Sequence, residues 1–375
     1  MSAAKSVLIV GGGMSGMTLG TGLKRAGIDC EIVEIRPEWA EPSTGISLQG
    51  PALRALRTVG LLDRCIERGF GYSQFKACDA NGNVTGTVEL PSLLGPGYPA
   101  TIGIMRYAVH SVLAEELAAQ KVPVRLGLSV ETLTQDDNGV DVTFTDGAPG
   151  RYDLVVGTDG ANSRVRELLF GPKHQPYYTG QVNWRATVSR PPDVLCRHSY
   201  FGPTNKSGFN PISQTEMYVY ILQNIPEKPR WEPEEWPGII RGLLAEFGGA
   251  LGRARDEIVD PDQLICRPVT SLMMPPPWYR GRVIIIGDAA HTTTPQLASG
   301  ASIAIEDSIL LTMLLQSDQP IAAVLENFMR RRYERCRMIV KNSEQLGEWE
   351  KNPNAPDIDV VGTVDRSYKA LAQPI

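Results

Sequence analysis

Apolar and polar residues recur along the chain with two periods, and the changes between those periods predict helices and strands. Residues 6–10 form an apolar, β-branched run, residues 14–26 have helical periodicity, and residues 30–34 alternate as a second strand. Gly27 follows the helix at a position typical of a C-cap. A strand, a helix and a strand within about 30 residues fit the length that a parallel crossover needs. The pattern therefore predicts a β-α-β unit.

The same two periods predict the elements in the rest of the chain. Helices are expected over residues 51–59, 61–68, 106–120, 234–249, 303–316 and 322–343. Strands are expected over residues 75–79, 84–89, 122–126, 130–135, 140–145, 154–157, 182–188, 198–201, 217–222 and 282–286. Asn81-Gly82 is a hairpin signal between two of these strands. Residues 350–375 are left without an assigned element.

This order of elements predicts an α/β protein in which a Rossmann-like domain is interrupted by a β-sheet-rich domain and followed by C-terminal helices. The chain has 375 residues, which suits two domains of about 100–200 residues each. The expected boundaries are 1–70, 100–175 and 265–343 for the discontinuous domain with its helices, 71–99 and 176–264 for the β-rich domain, and 344–375 for a C-terminal tail.

Composition narrows the class of protein. Hydrophobic residues make up 42% of the chain and charged residues 21%, which excludes a disordered or collagen-like protein. There are 37 basic and 42 acidic residues, and the run Arg330-Arg331-Arg332 is interpreted as a solvated helix face. We therefore expect no nucleic-acid partner. Six cysteines without a C-x-x-C pair and four histidines without ligand spacing predict reduced thiols and no metal site.

Residues 6–23 carry no charge and resemble the core of a signal peptide. They contain six glycines, however, and no small-residue cleavage site. No other segment approaches the ~20 apolar residues of a membrane span. The expectation is a cytoplasmic protein without a membrane span.

The glycines at the end of the first strand predict a dinucleotide site. Gly11-x-Gly13-x-x-Gly16 follows a strand and opens a helix. Gly11 permits a tight turn, Gly13 permits close approach of a pyrophosphate, and Gly16 permits close packing of helix on strand. Glu34 lies 18 residues after Gly16, where a carboxylate accepts hydrogen bonds from a ribose. A Gly-rich turn with a surface glutamate is the alternative, and the motif alone does not say which dinucleotide binds.

Two further segments make a family resemblance specific. The run from Gly157 to Arg166 reads GTDGANSRVR, and Gly287-Asp288-Ala289-Ala290-His291 is followed by Pro295. Each follows a predicted buried strand. Together with the glycine motif, in this order, they make the chain resemble the flavoprotein aromatic hydroxylases, which are single-component FAD-dependent monooxygenases of the para-hydroxybenzoate hydroxylase fold. The resemblance covers most of residues 5–340 and includes residues 45–48, the helix that begins at Arg106, and Trp184-Arg185.

The resemblance implies non-covalent FAD and a set of residues that contact it. The set is Gly11, Gly13, Met14, Ser15, Gly16, Glu34, Ile35, Arg36, Gly45, Ile46, Arg106, Val130, Asp159, Gly160, Arg164, Gly287, Asp288, Pro295, Gly300 and Ala301. The glycine motif and Glu34 would hold the ADP half, while Asp159 and Arg164 would serve both FAD and the nicotinamide donor. Residues 295–301 would pass beside the flavin ring just before a helix, whose N–H groups stabilise an anionic reduced flavin.

The chain departs from the family pattern in two places. The usual Gly-Gln-Gly-x-Asn reads Ala298-Ser299-Gly300-Ala301-Ser302, so that only the central glycine is retained. Gly50-Pro51 replaces the common Pro-Asn.

The implied reaction uses NAD(P)H as a transient donor, because no second Gly-x-Gly-x-x-Gly motif follows a strand. Hydride would pass to FAD, O2 would be captured as a flavin C4a-hydroperoxide, and OH would be transferred to a small phenolic or N-heteroaromatic substrate. The protein must orient the ring and favour its phenolate form. The catalytic candidates are Arg185, His198, Tyr200, Tyr218 and Tyr220 on the β-rich insert, with Pro295 beside the flavin.

Each of these candidates also has a structural interpretation. Tyr218 and Tyr220 share one face of a strand, yet strand tyrosines often only pack a sheet. His198 is either a base that activates the phenol or a structural histidine. Arg185 pairs with a substrate carboxylate, stacks or faces solvent. His291 is interpreted as a packing residue.

Other functions share the FAD motifs. A flavin halogenase would carry Trp-x-Trp-x-Ile-Pro, and none of the six tryptophans lies in such a segment. A prenyl reductase favours an apolar tunnel, which the strands over residues 182–222 do not clearly suggest. A non-enzymatic FAD-binding subunit is the third alternative. The aromatic substrate, the choice of NADH or NADPH, and a homodimer are left open.

Overall fold

The computed structural model describes residues 3–39 and 44–375. The helices are α1 (Met14–Arg25), α2 (Gly50–Thr58), α3 (Leu62–Arg68), α4 (Arg106–Ala119), α5 (Arg164–Phe170), α6 (Trp236–Leu243), α7 (Gly249–Glu257), α8 (Asp288–His291), α9 (Gly300–Leu315), α10 (Ile321–Lys351) and α11 (Val360–Ala372). The strands are β1 (Ser6–Val10), β2 (Asp29–Glu34), β3 (Gly45–Gln49), β4 (Phe70–Tyr72), β5 (Gln74–Asp79), β6 (Val84–Glu89), β7 (Thr101–Met105), β8 (Val124–Leu126), β9 (Val130–Gln135), β10 (Val140–Phe144), β11 (Pro149–Tyr152), β12 (Leu154–Gly157), β13 (Tyr177–Ser189), β14 (Arg197–Phe201), β15 (Lys206–Pro211), β16 (Glu216–Asn224), β17 (Leu264–Ser271), β18 (Tyr279–Arg280) and β19 (Val283–Ile285).

A six-stranded sheet in the order β18-β19-β12-β1-β2-β8 carries the glycine loop. Its strands pair in parallel except for β18 at the edge. Val7, Leu8 and Ile9 of the central strand β1 have no exposed surface, as expected for a parallel sheet covered on both faces. The predicted β-α-β unit and the α/β, Rossmann-like class are confirmed.

A seven-stranded sheet in the order β17-β13-β16-β15-β14-β5-β6 forms the β-rich part. One face packs against α6 and α7 in an apolar cluster that contains Trp184, Phe209 and Leu251. Strand β17 belongs to this sheet and extends past the boundary expected at residue 264. The domain boundaries themselves stay a prediction.

A three-stranded sheet in the order β3-β7-β4 joins the two larger sheets, and the sequence pattern did not predict it. Gly103 in β7 contacts the carbonyl of Pro211 so closely that a Cβ atom would overlap it. Gly45 in β3 likewise lies against the ring of Tyr218, which occupies the space of a side chain. These glycines bring the junction sheet into direct contact with β15 and β16. A second three-stranded sheet, β11-β10-β9, is antiparallel.

The C-terminal third differs most from expectation. The helix expected over residues 234–249 is shorter in the structure, because α6 ends at Leu243, and a further helix, α7, which was not expected, begins at Gly249. Helix α10 extends to Lys351, and the unassigned tail contains α11, whose Leu371 is 2% exposed. Strands β11, β15 and β17 were also missed. No helix in residues 3–39 and 44–375 is both long and apolar enough to cross a membrane.

Candidate cofactor and substrate site

The loop between β1 and α1 leaves room for a ligand at one of its three glycines. Gly11 has φ +110, and a Cβ atom there would lie 2.6 Å from the carbonyl oxygen of Thr158. A Cβ atom on Gly16 would overlap the carbonyl oxygen of Gly11. A Cβ atom on Gly13, in contrast, would meet nothing within 4 Å. Two of the glycines therefore permit close packing, while the third borders open space.

That open space adjoins the N-terminus of α1. Gly13 is its N-cap, no side chain caps the helix, and its first turn contains no acidic residue. The N–H groups of a first helical turn have no intrahelical acceptor, and they carry a partial positive charge. This arrangement suits the pyrophosphate of a dinucleotide.

Glu34 lies beside the same loop at the end of β2. Its Oε2 atom accepts a hydrogen bond from the Gly12 N–H group at 2.6 Å, and its Oε1 atom accepts one from the Arg36 N–H group at 3.0 Å. Ile35 between them is 69% exposed. Val130, the first residue of β9 in a separate three-stranded sheet, is 1% exposed, so its side chain belongs to the core. Glu34 and Arg36 thus lie beside the glycine loop at the carboxyl end of β2, while Val130 contributes packing.

Asp159 has a structural role in this arrangement. Its Oδ1 atom accepts a hydrogen bond from Ser163 Oγ at 2.5 Å, and its Oδ2 atom accepts one from the Val165 N–H group at 3.0 Å. These bonds fix the turn that begins α5. Gly160, with φ +80 and open space where a Cβ atom would be, borders the cavity instead. Arg164 is exposed and donates to the carbonyl of Glu131 at 3.3 Å.

A buried arginine that the sequence pattern did not single out joins two of the motifs. Arg166 has no exposed surface. It donates hydrogen bonds to the carbonyls of Ala161 at 2.7 Å, His174 at 2.8 Å and Ala289 at 3.0 Å. Its neighbours in the GTDGANSRVR run were assigned to the cofactor, but this guanidinium holds that run to the Gly-Asp motif.

The Gly-Asp motif rests on a buried charged cluster. The N–H group of Gly287 donates to Asp307 Oδ2 at 2.9 Å, and Arg332 Nε donates to Asp307 Oδ1 at 2.6 Å. His291, Asp307 and Cys336 have ligand atoms within 4.8 Å of one another. Arg332 has no exposed surface, which corrects the solvated face expected for the run 330–332. Because its guanidinium donates to this cluster, its positive charge opposes a metal cation there. The cluster orients Gly287, which places Asp288 at the cavity.

A cavity of about 340 Å³ lies between these loops and the seven-stranded sheet. The predicted residues that line it are Gly13, Met14, Ser15, Ile46, Arg106, Gly160, Arg185, Tyr218, Tyr220, Asp288, Pro295, Gly300 and Ala301. The lining residues that the sequence analysis missed include Ser47, Asn183, Arg197, Lys206, Asn210, Gln296, Ser299 and Glu350. The cavity thus brings cofactor loops and strand side chains to one place.

The strand wall of the cavity is a network of hydroxyl groups. Tyr218 Oη lies 3.1 Å from Ser47 Oγ, and Tyr220 Oη lies 2.6 Å from Ser199 Oγ. Burial alone would raise the pKa of Tyr220, but the charges of Arg197 and Lys206 outweigh it and hold that pKa below its usual value. The network is therefore able to hold a proton or a negative charge at the wall.

Two guanidinium groups in this wall have no carboxylate partner. Arg185 donates to the Gly45 carbonyl at 3.0 Å and lies over the Tyr218 ring at 5.4 Å. Arg197 donates to Tyr220 Oη at 3.4 Å. The Nε atoms of both are buried without a hydrogen-bond partner, and no acidic group among the described residues is within ion-pair distance of either. Buried charges of this kind are costly unless an anion joins them.

His198 and Tyr200 do not reach the cavity, which corrects the expectation that they belong to the substrate wall. They alternate with Arg197 and Ser199 along β14 and therefore point to the opposite face of the sheet. The His198 ring stacks on Phe209 with centroids 4.8 Å apart, and Tyr200 is 1% exposed. Burial lowers the pKa of His198 to about 4, which keeps it uncharged near neutral pH.

The segment that precedes α9 completes the cavity. Residues Pro295–Leu297 form a 3-10 turn, Ala298 has φ +49, and α9 begins at Gly300 with no side-chain cap. Thr294 Oγ1 and Ser302 Oγ are buried without hydrogen-bond partners. A second uncapped helix N-terminus, with unsatisfied hydroxyl groups beside it, therefore faces the same cavity and suits the electron-rich edge of a flavin.

Two helix N-termini that converge on one cavity, with a carboxylate at the end of β2, are the features of a dinucleotide-binding protein. Comparison with known proteins agrees. The model of the family described as FAD binding domain matches residues 4–343. The chain is 32% identical over 354 residues to 2-heptyl-3-hydroxy-4(1H)-quinolone synthase of Pseudomonas aeruginosa, covering 92% of this chain and 90% of that protein.

Two further comparisons point the same way. Aurachin C monooxygenase/isomerase of Stigmatella aurantiaca is 30% identical over 363 residues, covering 93% of this chain and 91% of that protein. The crystal structure of Klebsiella pneumoniae HpxO with FAD and uric acid aligns with a TM-score of 0.85 at 22% identity, over 98% of this chain and 92% of that one. The chain belongs to the FAD-binding-domain family and is a flavoprotein monooxygenase with FAD as its cofactor, and NAD(P)H is the donor typical of that family.

Proposed function

We propose that the protein hydroxylates a small phenolic or N-heteroaromatic ring that carries an acidic group, using NAD(P)H and O2. The observation that carries this proposal is the pair of guanidinium groups, Arg185 and Arg197, in the wall of the cavity, which have no carboxylate partner within the described ranges 3–39 and 44–375. An acidic ring or a carboxylate substituent would supply the missing negative charge.

The proposed FAD contacts follow the two helix N-termini. The first turn of α1 would hold the pyrophosphate, Glu34 the ribose, and the first turn of α9 the electron-rich edge of the ring. Bound FAD would supply the redox chemistry, because it can accept hydride and activate oxygen. Arg164, at the exposed edge beside Glu131, stays a proposed contact for the ADP half or the nicotinamide donor.

The side chains of the strand wall would bind and polarise the substrate. Arg197 and Tyr220 would hold an acidic ring oxygen in its ionised form, which makes the ring more reactive towards electrophilic oxygen. Since the pKa of Tyr220 is lowered, its hydroxyl group and Ser199 are able to relay the proton that the substrate loses. Arg185, stacked on Tyr218, would fix the orientation of the ring.

Two of the similar proteins support an N-heteroaromatic ring. The name of the Pseudomonas relative contains a hydroxyquinolone, and HpxO was crystallised with uric acid. Both are nitrogen rings with oxygen substituents. The wall described here is polar at Asn183, Lys206 and Asn210, which favours a small polar ring over a long alkyl substituent.

The test is a screen of the purified protein for FAD content and for substrate-stimulated oxidation of NADH and NADPH. The panel should pair each hydroxylated aromatic acid with its neutral analogue, for example the carboxylate with the primary amide. We expect faster oxidation and a product heavier by one oxygen atom with the acidic member of a pair. Equal turnover of both members would contradict the role of Arg185 and Arg197. Stimulated oxidation that yields only hydrogen peroxide would contradict hydroxylation.

A further inference from the structure

The segment 294–299 lies between the Gly-Asp motif and α9. Side chains of the two C-terminal helices, α10 and α11, form hydrogen bonds to it. Ser343 of α10 makes the innermost contact. Its Oγ atom accepts a hydrogen bond from the Leu297 N–H group at 3.2 Å and donates one to the Thr294 carbonyl at 2.9 Å. Ser343 has no exposed surface. One side chain of α10 therefore fixes both ends of the 3-10 turn.

Glu350, near the end of α10, makes the second contact at the cavity wall. Its Oε2 atom accepts a hydrogen bond from Gln296 Nε2 at 3.0 Å, and its Oε1 atom pairs with Lys206 Nζ at 3.0 Å. Gly347 permits this approach, because a Cβ atom there would lie 2.9 Å from Gln296 Nε2. Glu350 therefore joins the segment 294–299 to the strand wall that we assign to the substrate.

Tyr368 of α11 makes the third contact. Gln49 Nε2 donates hydrogen bonds to the Leu297 carbonyl and to Tyr368 Oη, both at 3.1 Å. Tyr368 Oη in turn donates to the Leu297 carbonyl at 3.4 Å. Ser299 Oγ lies 3.0 Å from Gln49 Oε1. The side chains of Gln49 and Tyr368 thus support the last residues before α9.

Helix α11 is itself fixed to α9. Arg335 donates to the carbonyls of Ala370 and Leu371 at 2.6 and 2.8 Å, and Arg54 donates to that of Ala372 at 3.0 Å. Both guanidinium groups pair with Glu306 of α9, which is 1% exposed. The support that carries Tyr368 is therefore anchored to the helix whose N-terminus faces the cavity.

The segment needs such support, because Ala298 adopts the left-handed conformation that glycine adopts without steric cost. The family pattern has a glycine at this position. We infer that Glu350 and Tyr368 are positioning residues that hold segment 294–299, and with it the N-terminus of α9, against the flavin ring. The inference rests on the proposed placement of the ring beside α9.

The experiment uses the FAD-loaded protein with three variants. The first is a double variant, Glu350→Met with Tyr368→Phe, which removes the contacts to Gln296 and to the Leu297 carbonyl. Glu348→Met with Tyr177→Phe is the matched control, since Glu348 pairs with Lys351 and Tyr177 donates to Glu344, and neither contact is to a residue of segment 294–299. Glu350→Gln is the conservative variant that keeps an acceptor for Gln296. Hydrogen–deuterium exchange of a peptide that spans residues 293–302 and the reduction potential of the bound FAD are measured in each.

We expect the double variant to exchange roughly tenfold faster in this peptide, because two hydrogen bonds that stabilise it are lost. Its FAD potential should become more negative, since the N–H groups that favour the anionic reduced form are displaced. Glu350→Gln, in a chain that retains Tyr368, should keep most of the wild-type protection of this peptide against exchange. The control variant should exchange at the wild-type rate.

Two results would overturn the inference. Unchanged exchange in the double variant would show that these contacts do not hold the segment. Faster exchange with an unchanged FAD potential would show that the segment does not position the ring. Neither measurement uses the aromatic substrate, so a failure to find hydroxylation in the wild type would contradict the proposed function separately.

Discussion

The Nε2 atom of His291 lies 2.6 Å from the Oδ2 atom of Asp307, in the interior directly beneath the cavity. Burial acts to lower the pKa of His291, but Cys336 and Asp307 outweigh it and raise that pKa well above its usual value. The charges of His291 and Arg332 in turn lower the pKa of Asp307 in spite of its burial. One carboxylate thus holds a histidine, an arginine and the turn at Gly287.

Asp307→Asn should destabilise the whole protein. The substitution leaves Arg332 buried without its closest counter-charge, and breaking a buried pair costs about 3–5 kcal/mol. Urea unfolding followed by circular dichroism measures the loss, with the exposed Asp318→Asn as control. An unfolding midpoint equal to that of the control would refute this account of the cluster.

His198 should make stability depend on pH in the acid range. Its pKa is about 4 in the folded protein and near 6.5 in an unfolded chain. Between these values the unfolded state binds more protons than the folded state. The contribution of His198 to the free energy of unfolding is therefore complete above pH 6.5 and is lost as pH falls towards 4. His198→Phe keeps a ring against Phe209 and removes the titration. Relative to the wild type, the variant should gain stability on going from about pH 7.5 to about pH 5.

The difference between variant and wild type is the informative quantity, because His291 titrates with the opposite sign. A group whose pKa is raised by folding contributes fully to the free energy of unfolding at low pH. That contribution is lost as pH rises through the pKa of the folded protein. Urea midpoints of both proteins at the two pH values give that difference. A constant difference would mean that His198 is not buried as the structure has it.

Gly13→Ala should separate folding from FAD binding. A methyl group at Gly13 meets nothing within 4 Å, and its φ of −75 suits alanine, so the protein should fold with wild-type stability. The methyl group enters the space proposed for the pyrophosphate, and FAD affinity should fall at least about tenfold. Fluorescence titration of the apoprotein measures this, with Gly86→Ala, also in open space, as the control. Unchanged FAD affinity would show that the pyrophosphate does not bind beside Gly13.

Much of this fold and cofactor site was predictable, because the information is local. The spacing of Gly11, Gly13 and Gly16 between a strand and a helix requires no knowledge of distant residues. The same holds for Gly287-Asp288 after β19. Each motif is a short turn whose conformation follows from neighbouring positions.

The substrate wall was less predictable, because it depends on which face of a strand meets the cofactor. Arg197 and His198 are adjacent, and alternation alone gives two faces without saying which one is the wall. Helices α6 and α7 pack on the face that carries Phe209, and this leaves the opposite face, with Arg197, to form the wall. Helix α11 was missed for a related reason, because its carbonyls find their partner in Arg54, 318 residues away from Ala372.

Arg197→Met should weaken substrate binding more than FAD binding. The substitution removes the positive charge and keeps the length of the side chain, and a lost charged hydrogen bond costs about 1.5–3 kcal/mol, which corresponds to roughly 10- to 150-fold in affinity. The affinity of an acidic aromatic is read from the perturbation of the flavin absorbance. Arg241→Met, at an exposed position of α6, is the matched control. A loss of equal size for the neutral analogue would assign Arg197 to packing instead of charge recognition.

The most direct test of the central claim follows the oxygen atom. FAD-loaded protein is supplied with NAD(P)H, ¹⁸O2 and the acidic aromatic that stimulates oxidation most, and the product is analysed by mass spectrometry. The account predicts one ¹⁸O atom in the ring product for each NAD(P)H consumed in the coupled reaction. Oxidation of NAD(P)H that places all of the ¹⁸O in hydrogen peroxide, with every ring recovered unchanged, would contradict it.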